Sequence, residues 1–306
     1  MHSCALYCTG VNGVTEVSKL HYTQFYIGVF TLAALATMAN INMASDNLII
    51  VLALAVTFLG LPHGALDFAV AKSLNLVTSV SSAIRFVTIY SAIAAASIVF
   101  WIWVPDVALV LFLCISAFHF SADWRVTMPF LSRVGLACTL LCGPSVLYSA
   151  TLTDLFTALL LTTQSANWVI QGMQITFYVG ICIFLYFIIQ ISICKKRLSL
   201  WQYSEWLTLL LSSIILNPLL HFGLYFCLLH SPKHLQDVGV KLHVSVKRAI
   251  AISLPFVMLT IVLAAAAYEF FASSELNDDL LRWIFIGLFG LTISHILLIH
   301  LWHSAD

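Results

Sequence analysis

Charged side chains are scarce: 13 Lys and Arg and 13 Asp and Glu make up 8% of 306 residues, about a third of the share in an ordinary globular domain. A water-facing surface cannot be covered from that supply, so a conventional soluble protein is excluded. The two signs cancel to a formal net charge of zero. With no basic face interleaved with aromatics, a nucleic-acid partner is excluded as well. The polar tail, residues 1–24, lacks a short apolar stretch ending in a small-residue cleavage site. No cleavable secretion signal is therefore expected, and the first apolar run should remain as a membrane helix. Of eight cysteines, Cys114, Cys138, Cys142, Cys182, Cys194 and Cys227 lie in or beside apolar runs, where a free thiol behaves as a small hydrophobe. No disulfide framework is implied. Cys4 and Cys8 read as free thiols on the tail, since zinc would need two further ligands nearby. Soluble domains, fixed-period repeats and low-complexity tracts are also lacking, so residues 1–306 read as one integral membrane domain.

What the chain has in abundance is apolar sequence: 61% of residues are hydrophobic and mean hydropathy is +1.02. A helix needs about 20 apolar residues to cross the hydrocarbon. Such runs occur at Phe25–Met43, Leu48–Ala71, Ile84–Val104, Val107–Trp124 and Phe130–Ala150, then at Met173–Cys194, Trp201–His230, Ile250–Phe271 and Leu281–Trp302. The weaker segment Thr151–Gln171 is expected along the interface. The fold class is thus all-α, a polytopic transmembrane helix bundle of about eight to ten membrane segments.

Trp201–His230 is too long for a simple span and is interrupted by Asn217-Pro218, where proline removes a donor and disfavours helix in the residue before it. As a single crossing it divides the Lys and Arg residues nine against four across the membrane. Turned back at Asn217-Pro218, it leaves only Arg282 opposite the other twelve. The positive-inside rule favours the short hairpin, with an internal amino terminus.

Intramembrane polar groups are costly and usually face a bundle interior, so the histidines call for an account. His63 lies in GLPHGALDF, His119 in SAFHFSADW, and His230 and His234 in LHSPKHL. In the hairpin topology all four reach a similar depth. Ser231-Pro232 looks like a helix start, so His230 and His234 approach from a bend. Asp67 and Asp123 follow His63 and His119 by four residues, one helix face. Such a carboxylate can accept one imidazole N–H and leave the other nitrogen for a metal; a local Asp–His hydrogen bond without metal is the alternative. Imidazole suits zinc, copper, nickel and iron alike. Heme fits poorly, with no CxxCH motif, and only one HxxxH box occurs, too few for a di-iron desaturase.

The motifs PHGALD (Pro62–Asp67), FHFSADW (Phe118–Trp124) and HSPKHL (His230–Leu235), in that order, resemble the Brp/Blh family of microbial membrane β-carotene 15,15′-dioxygenases, which form retinal for rhodopsins. The surrounding apolar runs extend the resemblance over most of the chain. It implies a non-heme iron enzyme of the cell inner membrane that cleaves β-carotene with O2 into two molecules of all-trans-retinal. It also implies Fe(2+) held by His63, His119, His230 and His234, and a functional link to a microbial rhodopsin. In the last helix Ser294 stands where the family segment normally has proline, so His295 is carried only as a neighbour of the site, beside Asp67 and Asp123. Four neutral imidazoles leave positions open for dioxygen. A polyene offers no central hydrogen-bonding handle, so regiochemistry must come from an apolar tunnel. Phe118, Phe120, Trp124, Phe222, Tyr225 and Phe226 flank the histidines and are the lining candidates. Two other classes compete: a carotenoid- or retinal-binding or rhodopsin-assembly membrane protein without chemistry, against which the intact ligand residues count, and a metal or proton transporter, against which the lack of paired repeats counts.

Overall fold

The computed structural model describes residues 46–194, 199–271 and 276–305, together with Thr23, residues 26–28 and Thr31. Within these, the side chains at 46–48, 63, 246, 263–271, 276–277 and 303–305 lie outside the description. The expected span Phe25–Met43 and the two tail cysteines fall almost wholly outside it. Among the described residues every regular element is helical.

The elements are α1 (Asp46–Ala55), α2 (Asp67–Ser73), α3 (Val80–Trp103), α4 (Pro105–Ser121), α5 (Phe130–Cys142), α6 (Ser149–Ala158) and α7 (Thr163–Ile193). They continue as α8 (Leu200–Ile215), α9 (Pro218–Leu224), α10 (Ser231–Lys241), α11 (Val246–Phe271) and α12 (Leu276–Ala305). Among the described residues, five helical stretches are long and apolar enough to cross a membrane: Ile49–Ser73, Val80–Trp103, Pro105–Trp124, Thr163–Ile193 and Asp278–Trp302. Their outward faces stay apolar, with Val80, Trp103 and Ile175 largely exposed, as lipid-facing residues are. The chain is a polytopic all-α membrane protein.

Two expected boundaries differ. Phe130–Ala150 is not one straight span: Gly143-Pro144 opens a 3-10 turn (Gly143–Val146), and the segments on either side of Tyr148 are bent by 101°. Thr151–Gln171 is not one interfacial segment either. Leu160 takes a positive φ and ends α6, after which the Thr162 hydroxyl accepts from Ser165 N–H and starts the 31-residue α7. A local N-cap outweighs the polar composition of TTQSAN. Among the cysteines, Cys194 is disulfide-bonded, against the free-thiol expectation; it ends the α7 apolar run, while Cys114, Cys138, Cys142, Cys182 and Cys227 are free.

The chain packs as two compact units. The first contains Val110–Thr157 and Thr162–His230. Its helices α5 and α7 meet on small residues: a Cβ on Gly180 would come within 2.6 Å of both Gly135 O and Thr139 Oγ1. This is the close backbone approach that small residues permit between membrane helices. In the same unit α8 starts from a capping box between Ser199 and Gln202 and ends at Leu216 and Asn217, both extended. Asn217 Oδ1 then caps Leu219 N–H at 3.0 Å, and Pro218 takes a first-turn position where no N–H is needed.

Ser212 Oγ and His221 Nδ1 lie 3.2 Å apart. Helices running on in line would separate those residues by roughly 17 Å, so the chain turns back sharply at Leu216-Asn217, where the hairpin was expected.

The second unit contains Ala44–Leu109, Ala158–Leu161 and Ser231–Asp306. Its core joins Leu66, Val70 and Ala71 to Leu235 and Val238 of α10 and to Leu298 and Trp302 of α12. Helices α3 and α12 pack closely: a Cβ on Gly290 would meet Ala94 O at 2.9 Å, and the Ser294 hydroxyl donates to Tyr90 O at 3.0 Å. The entrance to this core is irregular. After α1 the chain makes a π turn (Val56–Gly60) and a 3-10 turn (Leu61–Leu66) with Pro62 in its first positions. Such turns leave carbonyls outside the α ladder. The Ser231 hydroxyl at the head of α10 donates to Leu59 O at 2.6 Å and Gly60 O at 3.0 Å. Ser231 thus serves a neighbouring break in the ladder.

Candidate metal-directed histidines

In the first unit the last turn of α4 presents His119. The helix then tightens into a 3-10 turn, Ala122–Trp124, which holds Asp123. A π turn, Tyr225–His230, follows α9 and ends on His230. That widened turn is how a histidine comes to approach from a bend, and π turns of this kind gather at functional sites.

His230, 1% exposed, places Nδ1 3.2 and 3.1 Å from the two Asp123 carboxylate oxygens. An ionised carboxylate only accepts, so Nδ1 carries the proton. The Tyr225 hydroxyl donates to Asp123 Oδ2 at 2.8 Å. The His119 ring stands edge-on to that of His230, centroids 4.9 Å apart and planes at 74°.

Aromatic rings enclose the pair. Phe120 lies 4.6 Å from the His230 ring and 5.1 Å from that of Tyr225, while Phe226 stacks on His230 and on Phe222. Trp124 is stacked on Tyr225 and donates from Nε1 to Glu205 Oε1 at 3.0 Å. Phe118 is different: it is 57% exposed and packs edge-on against Phe130.

The second unit repeats the pattern with other residues. Asp67, first residue of α2, is buried. It accepts from the Tyr90 hydroxyl at 2.7 Å and lies 2.8 and 3.0 Å from His295 Nδ1. His234, on α10, stands edge-on to His295 with centroids 5.1 Å apart and planes at 75°. His63 sits in the 3-10 turn against which α10 packs; its side chain lies outside the described residues.

Both carboxylates therefore bond to histidines remote in sequence, a pairing that the four-residue spacing to His63 and His119 did not reveal. The reason is local. In a 3-10 turn of three residues per turn, positions four apart no longer share a face, and each His-to-Asp interval crosses one.

Sequence reasoning missed Tyr90 and Glu205. Each is a hydrogen-bonding group within a strongly apolar run, the one signal that could have marked it. Tyr225 was expected only as lining, yet its hydroxyl holds Asp123.

Among the described residues, no group of three or more His, Cys, Asp or Glu side chains stands together as a metal-holding cluster. The donor chemistry of each pair nonetheless fits a divalent transition metal. Nδ1 of His230 and of His295 is fixed by a carboxylate, which sets the tautomer that leaves Nε2 as the basic nitrogen. The Nε2 atoms of His119, His230, His234 and His295 are buried and make no hydrogen bond. Imidazole without thiolate suits iron, zinc, copper or nickel.

Comparison with known proteins adds the family. The family model described as Beta-carotene 15,15'-dioxygenase matches residues 54–303. A curated protein named Beta-carotene 15,15'-dioxygenase, from Uncultured marine bacterium 66A03, is 29% identical over 263 residues, covering 80% of this chain and 90% of that protein. No solved structure matches. The matched span takes in both Tyr–Asp–His arrangements, and on that match the chain belongs to the Beta-carotene 15,15'-dioxygenase family.

Proposed function

We propose that this protein is a non-heme iron dioxygenase that cleaves the central 15,15′ double bond of β-carotene with O2 to give two molecules of all-trans-retinal. The observation that carries the reading is the family match over residues 54–303, joined to carboxylate-oriented, buried histidines in each unit. His63, His119, His230 and His234 are the proposed ligands of Fe(2+). Iron bound by neutral imidazoles would supply open positions for dioxygen activation.

The protein's own residues have definable tasks. Asp123 orients His230 and holds its proton at Nδ1, and Tyr225 donates to the same carboxylate and keeps it from rotating. Phe120 and Phe226 exclude water from the His230 ring and, with Phe222, Tyr225 and Trp124, give a wall of aromatic faces suited to a polyene. Selection of the central bond then rests on shape, since the polyene has no polar group there. Phe118, exposed on the helix surface, is assigned to lipid contact or to the approach of the substrate from the bilayer. The setting proposed is the cytoplasmic membrane, with retinal delivered to a rhodopsin.

Expression in carotene-accumulating cells tests this directly. Loss of orange colour with retinal as the one product is the expected result. Unchanged carotene with carotenoid bound to the purified protein would favour a carrier or assembly role instead.

A further inference from the structure

We propose that His295 is a metal-directed imidazole of the same standing as His230, and that Tyr90 and Asp67 are the residues that position it. The inference rests on the iron reading above and extends it to a histidine outside the four proposed ligands.

The two units of the chain carry corresponding arrangements. In the first unit a tyrosine hydroxyl and a histidine Nδ1 converge on one carboxylate: Tyr225 at 2.8 Å and His230 at 3.1 Å on Asp123 Oδ2. In the second, Tyr90 at 2.7 Å and His295 at 3.0 Å converge on Asp67 Oδ2. In each unit a second histidine meets the pinned ring edge-on, at 4.9 Å and 74° for His119 on His230 and at 5.1 Å and 75° for His234 on His295. No sequence repeat relates the two arrangements; the residues come from different kinds of element. Asp123 lies in a 3-10 turn and His230 ends a π turn, whereas Asp67 begins a helix and His295 lies inside one. The same four-residue geometry reached by different local routes is what a shared chemical task would produce.

The second arrangement is also held firmly. Ser294, next to His295, donates its hydroxyl to Tyr90 O, so α12 and α3 are fixed at both the backbone and the side chain of Tyr90. His295 and Asp67 are both 4% exposed. An imidazole whose tautomer and ring angle are both set in this way is what a metal ligand requires.

A purely structural His–Asp–Tyr chain would look similar, and the substitution that separates the two is His295→Asn. Its amide NH2 can replace Nδ1–H as donor to Asp67, keeping the helix contact, but places nothing at the position of Nε2. Purified wild type, His295→Asn and His295→Ala are reconstituted with ferrous iron anaerobically. Iron stoichiometry and affinity are measured, and the electron paramagnetic resonance spectrum of the nitric oxide adduct is recorded as a readout of the ligand set.

The expected result is a loss of affinity of at least about tenfold, or an altered adduct spectrum, in His295→Asn with helicity and monodispersity unchanged. Wild-type affinity together with a wild-type spectrum in His295→Asn would overturn the inference and leave His295 a helix fastener. His295→Ala then reports the structural contribution, and its failure to fold leaves the Asn result decisive. Wild type that takes up no iron would overturn the iron reading itself, and this inference with it.

Discussion

His230 Nδ1 meets the Asp123 carboxylate at 3.1 Å across 107 residues of chain, and both groups lie within an apolar aromatic shell. Burial of that carboxylate is tolerated because it receives two donors, His230 and Tyr225, as buried charged groups must. Replacing it by an amide keeps the volume and removes the charge that favours the Nδ1 tautomer. Asp123→Asn, and likewise Asp67→Asn, should weaken iron binding by about 10–100-fold without abolishing it. Anaerobic iron titration of the purified variants measures this, and unchanged affinity in both would reduce the carboxylates to helix fasteners.

The histidines should respond more severely than their carboxylates. His119→Ala, His230→Ala and His234→Ala should each abolish retinal formation and lower iron content, because an alanine supplies no donor and the apolar surroundings offer no replacement. Metal analysis beside product analysis is the check. Full iron with retained retinal formation in any one of them would remove that residue from the set. His63→Ala belongs in the same series on the strength of its motif.

How much of this was legible in the sequence follows the kind of interaction involved. Apolar runs revealed the helices, because length and hydropathy are properties of a contiguous segment. The turn at Asn217-Pro218 was legible too, since proline and the charge distribution pointed to the same place. The departures from α geometry were not. The π turn Val56–Gly60, which leads into the 3-10 turn carrying His63, has carbonyls satisfied by a group distant in sequence, the Ser231 hydroxyl, which donates to Leu59 O and Gly60 O. A four-residue spacing assumes an unbroken helix, so it could not show that Asp67 and Asp123 bond to His295 and His230. Ser294 illustrates the same limit. As a departure from a family proline it counted against the neighbouring histidine, yet its hydroxyl holds α12 to Tyr90.

Packing in the first unit gives a prediction independent of the site. A methyl group at position 180 would press against Gly135 O and Thr139 Oγ1, both at 2.6 Å. The first is backbone. The second is held by its own hydrogen bond to Gly135 O at 2.8 Å, so neither can yield cheaply. Gly180→Ala should destabilise the protein by about 1–3 kcal/mol, the usual cost of overpacking, seen as a lowered midpoint of thermal unfolding in detergent. Gly172→Ala is the control on the same helix, where nothing lies within 4 Å of an added Cβ. Equal midpoints for the two variants would contradict the close α5–α7 contact.

The last prediction concerns the turn between α8 and α9, on which the approach of His230 depends. If the chain continued through Asn217-Pro218 as a single helix, residues 212 and 221 would be separated by nine helical rises, about 13 Å, on a rod that cannot bring them together. In the turned-back chain Ser212 Oγ and His221 Nδ1 are in hydrogen-bond contact, and Gly143 is pressed against Ser213 on the same stretch of α8. A Ser212→Cys/His221→Cys protein treated with a short, membrane-permeant bis-methanethiosulfonate should therefore yield an intramolecular 212–221 cross-link, identified by mass spectrometry of the digested protein. Ser212→Cys paired with a cysteine at Tyr203, nine residues earlier on α8, gives the reference yield for a straight helix. A 212–221 yield no higher than that reference would mean that Trp201–His230 runs on without reversing. It would also remove the bend that brings His230 to Asp123.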